Sequence, residues 1–252
     1  MRVTLIQTEI DGSRPLAERV AGVAEQVAAC TGDLVLLPEL WATGYFAFDD
    51  YATTAQPLDG PLVRAMGAAA AAAGVVLHAG SMVERDAAGR LFNTSLLFDR
   101  DGTLAHTYRK VHLFGYGSRE QELLTPGEQV GAHGQLALST CYDLRFPELF
   151  RTQVDDGSQL FLVAAAWPLA RLEHWQLLLR SRALENQSFL LACNAAGRQG
   201  DVELAGRSAV VDPWGTVLAE AGAGPETLTV EIDPDLATRA RKEFPALADR
   251  RL

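Results

Sequence analysis

Along this chain, short apolar runs alternate with longer stretches in which apolar residues recur every three or four positions. The short runs predict buried strands and the longer stretches predict helices packed by one face. Strands are expected at Arg2–Gln7, Leu34–Leu37, Val75–Val83, Thr94–Phe98 and Thr103–Tyr108. Further strands are expected at Gln135–Thr140, Gln159–Ala164, Ser188–Ala192, Ser208–Val211, Thr216–Ala219 and Leu228–Ile232. Helices are expected at Pro15–Cys30, where Leu16, Val20, Val23 and Val27 share a face, at Pro61–Ala73, Pro147–Val154 and Leu172–Glu185. Asp99–Gly102 and Asp212–Gly215 read as hairpin turns, and Gly115–Glu128 reads as a loop. Strands and helices interleave throughout, which predicts an α/β fold with a mixed sheet covered by helices.

Composition narrows this picture. The chain has 252 residues, 48% of them hydrophobic, and no linker-like stretch divides it, so one domain over 1–252 is expected. Its longest apolar run, Gly67 to Leu77, is too short for the ~20 residues a bilayer crossing needs. A net charge of -10 disfavours nucleic acid and acidic membrane surfaces. Three cysteines, Cys30, Cys141 and Cys193, form no disulfide framework. The first residues open directly as a strand without a signal-like pattern, and together these features predict a cytoplasmic protein.

Three segments each place a reactive side chain just after an apolar run. They are Leu36-Leu37-Pro38-Glu39-Leu40, Tyr108-Arg109-Lys110-Val111-His112 and Ser139-Thr140-Cys141-Tyr142-Asp143-Leu144-Arg145-Phe146-Pro147-Glu148. Taken singly, Glu39 is a solvated loop carboxylate, Lys110 a charged strand edge and Cys141 a small core hydrophobe. Taken together, they are the parts of a nucleophilic amide hydrolase. Cys141 supplies the nucleophile, Lys110 stabilises its thiolate, and Glu39 moves protons between thiol, leaving amine and water. Cys141 stands between a strand and a helical segment, as at a nucleophile elbow, so the backbone N–H of Tyr142 is the natural oxyanion donor.

These segments resemble the nitrilase superfamily of carbon–nitrogen hydrolases, whose Glu-Lys-Cys triad stands in this order. The resemblance extends to Phe92-Asn93-Thr94, Arg182-Ala183-Leu184-Glu185-Asn186-Gln187, Gly206-Arg207-Ser208 and Asp212-Pro213-Trp214-Gly215, read as mainly structural. It implies a four-layer α-β-β-α sandwich, a homodimer and a second glutamate between the lysine and Pro126-Gly127. Glu120 has the matching offset, with Glu122 as the alternative.

Tyr45, Phe46, Tyr116 and Trp167 are candidate walls of a substrate site, against the alternative of ordinary aromatic core. Arg145 is placed to meet a substrate carboxylate or, alternatively, to pair with Glu148. His78, His106, His112, His133 and His174 show no metal-ligand spacing, and no glycine-rich phosphate loop follows a strand. No metal or cofactor is therefore expected. A hydrogen-bonding role is expected for His112.

Cys141 to Glu148, with Trp167-Pro168 and His174-Trp175, looks most similar to the ω-amidase (2-oxoglutaramate amidase) branch. The resemblance implies hydrolysis of a small aliphatic amide bearing a carboxylate, through a thioester, with release of ammonia. An N-carbamoyl amine hydrolase is the first alternative and a nitrilase the next. A binding relative with an idle triad is the alternative from a different class.

Overall fold

The structure, a computed structural model, describes residues 1–251. In chain order, strands β1 (Arg2–Gln7), β2 (Leu34–Leu36), β3 (Val76–Arg85), β4 (Leu91–Phe98) and β5 (Leu104–Arg109) build a first sheet. β6 (Ala132–His133), β7 (Leu136–Thr140), β8 (Leu160–Ala165) and β9 (Phe189–Asn194) begin a second. A two-stranded ribbon follows, β10 (Arg198–Gln199) with β11 (Val202–Glu203). β12 (Ala209–Val211) and β13 (Val217–Glu220) complete the second sheet. The last strand, β14 (Glu226–Glu231), returns to the first sheet and pairs antiparallel with β1, in register from Arg2–Glu231 to Gln7–Glu226.

The sheet orders are β14-β1-β2-β3-β4-β5 and β13-β12-β9-β8-β7-β6. Read from β5 in the first and from β13 in the second, both give two antiparallel pairings, two parallel pairings and one antiparallel pairing. The sheets pack face to face, with β1 against β9, β3 against β8 and β4 against β7.

Two-residue alternation explains the layering. Val3, Leu5, Leu34 and Leu36 point into the core between the sheets. Their neighbours Ile6 and Val35 point the other way, under helices α1 (Leu16–Ala28) and α3 (Pro61–Ala73). A one-turn helix, α2 (Tyr51–Thr54), lies between those two in sequence, and another, α4 (Glu120–Leu123), follows β5. On the second sheet's outer face lie α5 (Pro147–Asp155) and α6 (Leu172–Asn186), with α6 over β9 and β12. α7 (Leu236–Glu243) follows β14. The architecture is therefore the expected α-β-β-α sandwich. Among the described residues no helix is long and apolar enough to cross a membrane.

Most elements fall where the pattern places them. The segment 115–128 differs by containing α4, whose buried Glu120 has partners that local sequence does not reveal. β4 begins at Leu91 rather than Thr94, because Leu91, Phe92 and Asn93 pair with the far end of β3.

Candidate active site

Glu39 stands on the turn that leaves β2. The Leu37 amide donates to the His78 carbonyl at 2.9 Å and the Glu39 amide to the Ala165 carbonyl at 3.3 Å, so the turn is tied to both sheets. Leu40 adopts φ 44°, and its amide donates to Ser81 Oγ at 3.0 Å. That bond exists because β3 shifts register between His78 and Ser81. Gly80 lies in the shift at φ 62°, where a Cβ would fall 1.9 Å from the Pro38 carbonyl oxygen. Only glycine lets the two backbones come this close.

Lys110 leaves β5 in a similar clamp. Its amide donates to the Asn93 carbonyl and its carbonyl accepts from the Gly127 amide, both at 2.8 Å. A Cβ on Gly127 would lie 2.0 Å from the Arg109 carbonyl oxygen. The Lys110 ammonium is buried and donates to Glu39 Oε1 at 2.8 Å and to both oxygens of Glu120 at 3.0 Å. Asn93 Nδ2 bridges the same carboxylates, at 2.9 Å to Glu39 and 3.0 Å to Glu120. Glu39 Oε2 accepts from the Ala166 amide at 3.0 Å. Glu120 Oε2 accepts from the Phe114 amide at 2.7 Å and from the Tyr45 hydroxyl at 3.1 Å. Glu122 is exposed and approaches only Arg119, so Glu120 is the glutamate brought to Lys110.

Cys141 follows β7 at φ 48°, a conformation disfavoured for any residue with a side chain, and opens a 3-10 turn over Cys141–Arg145. Buried Asp143 holds that turn. It accepts from the Thr140 amide at 2.8 Å and from the Tyr108 hydroxyl at 2.7 Å, and it bonds His112 Nδ1 at 2.8 Å. His112 also stacks on Phe146, with ring centroids 3.7 Å apart. The histidine thus has a hydrogen-bonding place beneath the cysteine turn, as expected. The Tyr142 N–H lies in the first turn of a helix, where amides have no acceptor within the helix.

Burial opposes the charge on Lys110, but Glu120 and Glu39 outweigh it and hold the ammonium well above the ordinary lysine value. Burial, with Glu120 nearby, raises Glu39 even though Lys110 pulls it down. Burial and the Glu39 carboxylate push the Cys141 thiol well above its ordinary value, against the pull of Lys110. Lys110 divides its charge between two carboxylates, one of which, Glu39, stands beside the Cys141 sulfur.

The sulfur opens into a narrow cleft of about 20 Å³ lined by Tyr45, Phe46, Phe114, Tyr142, Arg145, Ala166, Trp167, Pro168 and Arg171. Of the proposed walls, Tyr45 and Trp167 are buried and face the cleft. Tyr116 is 82% exposed and lines an outer groove instead, because the chain turns outward after Phe114. Arg145 does not pair with Glu148. Its guanidinium lies 4.9 Å from the Trp167 ring and donates to His174 Nδ1 at 3.2 Å.

Known proteins share this architecture and sequence. The carbon–nitrogen hydrolase family profile matches residues 2–242. The chain belongs to the carbon–nitrogen hydrolase family. Across 99% of its length it is 38% identical to a 2-oxoglutaramate amidase of Paenarthrobacter nicotinovorans, covering 89% of that protein. Nit3 of Saccharomyces cerevisiae, described as a nitrilase-superfamily member, superposes with a TM-score of 0.89 at 30% identity, covering 100% of this chain and 97% of that one. An amidase variant from Nesterenkonia sp. AN1 superposes with a TM-score of 0.83 at 29% identity, over 97% and 95% of the two chains. That structure carries the acetamide moiety of fluoroacetamide added covalently at its active-site cysteine.

Sequence reasoning missed several parts of this hydrolase's site. Asn93, read as structural, donates to both carboxylates, and a buried asparagine beside an Asn-Thr strand start was the available signal. Phe114 and Arg171 line the cleft without any local pattern to announce them. The Ala166 amide became a candidate only once β8 was seen to end beside Glu39.

Proposed function

We propose that this carbon–nitrogen hydrolase is an ω-amidase: it hydrolyses a small aliphatic amide that bears a carboxylate at its other end, as 2-oxoglutaramate does. The observation that carries the reading is a single cleft holding a strained cysteine in contact with Glu39, beside Lys110 and two arginines. The name of the 38%-identical relative supports the same substrate class.

In this reading Glu39, Lys110, Cys141 and Glu120 are catalytic. Glu39, with its raised proton affinity, takes the proton of Cys141 as sulfur attacks the amide carbon. The C=O π bond becomes an oxyanion held by the Tyr142 N–H and the Lys110 ammonium. Glu39 then gives its proton to the amide nitrogen, the C–N bond breaks, and ammonia leaves a thioester on Cys141. Water loses a proton to Glu39 and adds to the thioester carbon. Collapse breaks the C–S bond, and the proton returns to sulfur. Glu120 anchors Lys110 and helps position the water. Tyr45, Phe46, Phe114 and Trp167 exclude solvent around the chain of the substrate, and Arg145 receives its carboxylate.

The protein is further proposed to act in the cytoplasm as a single-domain homodimer. Its three cysteines are free. The outward face of α6 supports an assembly: Leu177 and Leu184 stay exposed on it, with Leu184 against the Gly215 turn next to Trp214, which is also exposed.

The test is product analysis with 2-oxoglutaramate, carbamoyl amines, simple amides and nitriles, run beside Cys141→Ala. Ammonia from the ω-amide with wild type alone is expected. Carbon dioxide released with the ammonia would instead identify a carbamoyl hydrolase, and equal ammonia release by Cys141→Ala would sink the mechanism. The mass of the same preparation in solution, two chains or one, decides the assembly.

A further inference from the structure

Two guanidinium groups enter the cysteine cleft, and among the described residues neither pairs with a carboxylate. The chain has 22 Lys and Arg against 32 Asp and Glu, so acids outnumber bases, yet no carboxylate lines this cleft. Both are half-buried, with their charge directed at the cleft and available to an anionic ligand.

Both are organised around Trp167. The Arg145 guanidinium lies over the indole at 4.9 Å, and the Trp167 Nε1–H donates to the Arg171 carbonyl at 2.8 Å. The Trp167 amide in turn donates to Asn194 Oδ1 at 2.6 Å. The Arg171 guanidinium lies 5.2 Å from the Phe114 ring. A guanidinium stacked by its face keeps its N–H edges for a planar anion.

One arginine suffices for one carboxylate, and the second cation changes which neighbour of that carboxylate is tolerated. A 2-oxo acid presents a carbonyl oxygen there, an acceptor for Arg171. A 2-amino acid presents an ammonium, which a second guanidinium repels. We infer that Arg171, acting with Arg145, selects the ω-amide of a 2-oxo acid over that of the 2-amino acid of equal length. This rests on the ω-amidase reading above.

The test compares kcat/KM for 2-oxoglutaramate, glutamine and uncharged butyramide in wild type, Arg171→Gln and Arg171→Lys. Losing one charge-assisted contact should lower the 2-oxoglutaramate-to-glutamine preference by ~10-fold or more in Arg171→Gln. The ratio to butyramide should fall with it, and Arg171→Lys should restore part of both. Equal losses on all three amides, or no loss, would overturn the assignment. Calorimetry on Cys141→Ala separates the two readings. There 2-oxoglutarate should bind more tightly than glutamate, and adding Arg171→Gln should erase the difference. Amide turnover with ligand preference indifferent to residue 171 removes the selector and leaves the ω-amidase. Selective 2-oxoglutarate binding without turnover of any amide removes the ω-amidase and leaves the selector.

Discussion

At the scale of the residue, the site is a problem in charge. Two buried carboxylates share one buried ammonium, and four neutral donors, Asn93 Nδ2, the Tyr45 hydroxyl and the amides of Phe114 and Ala166, supply further hydrogen bonds. Removing different members should therefore have unlike effects. Lys110→Met leaves two carboxylates facing each other without a cation and should cost about 3–5 kcal/mol of stability. Glu39→Gln keeps one carboxylate against one ammonium, so its stability cost should be much smaller while turnover still falls by orders of magnitude. Urea unfolding of both variants reads the difference, and equal midpoints would refute this charge arrangement. Glu39, Lys110 and Cys141 were legible in the sequence because each ends an apolar run within a recognisable motif. Arg171 was not, since what sets it apart is its place in the cysteine cleft, and only three-dimensional neighbours reveal that.

At the scale of the element, the reactive groups hang from strand ends, and close backbone contacts fix the aim of those ends. The register shift in β3 is the clearest case. Gly80 is placed in neither the catalytic set nor the cleft lining, yet it allows Pro38 to approach and Ser81 to hold Leu40. Gly80→Ala should force the Glu39 turn away from the sheet. The variant is expected to fold with lower stability and a kcat reduced ~10-fold or more, since ångström-scale misplacement of a catalytic group is enough for that. Unchanged kcat in a folded Gly80→Ala protein would show that the shift does not position Glu39. Helices and most strands were readable from periodicity because one face of each is buried. The shift itself went unread, although the isolated Gly80 within Leu77-His78-Ala79-Gly80-Ser81 is the kind of residue that marks one.

At the scale of the whole molecule, alternating strands and helices specified the fold class, but not which strand lies beside which. The two-sheet division came from family resemblance, since local pattern carries no record of partners far away in the chain. The most distant partnership joins β1 to β14, the first strand to the last, along the full length of both. Its consequence concerns birth rather than catalysis. While the ribosome is still making the second sheet, β1 has already emerged and its outer edge has no neighbour. A bare edge invites pairing with other chains. The growing protein is thus most prone to aggregate until residue 231 is released, and a chain stopped at residue 225 should collect in the insoluble fraction on expression. If that shortened chain stayed soluble and native, the closing strand would be dispensable. Otherwise, an early stop leaves this protein's outermost seam permanently open.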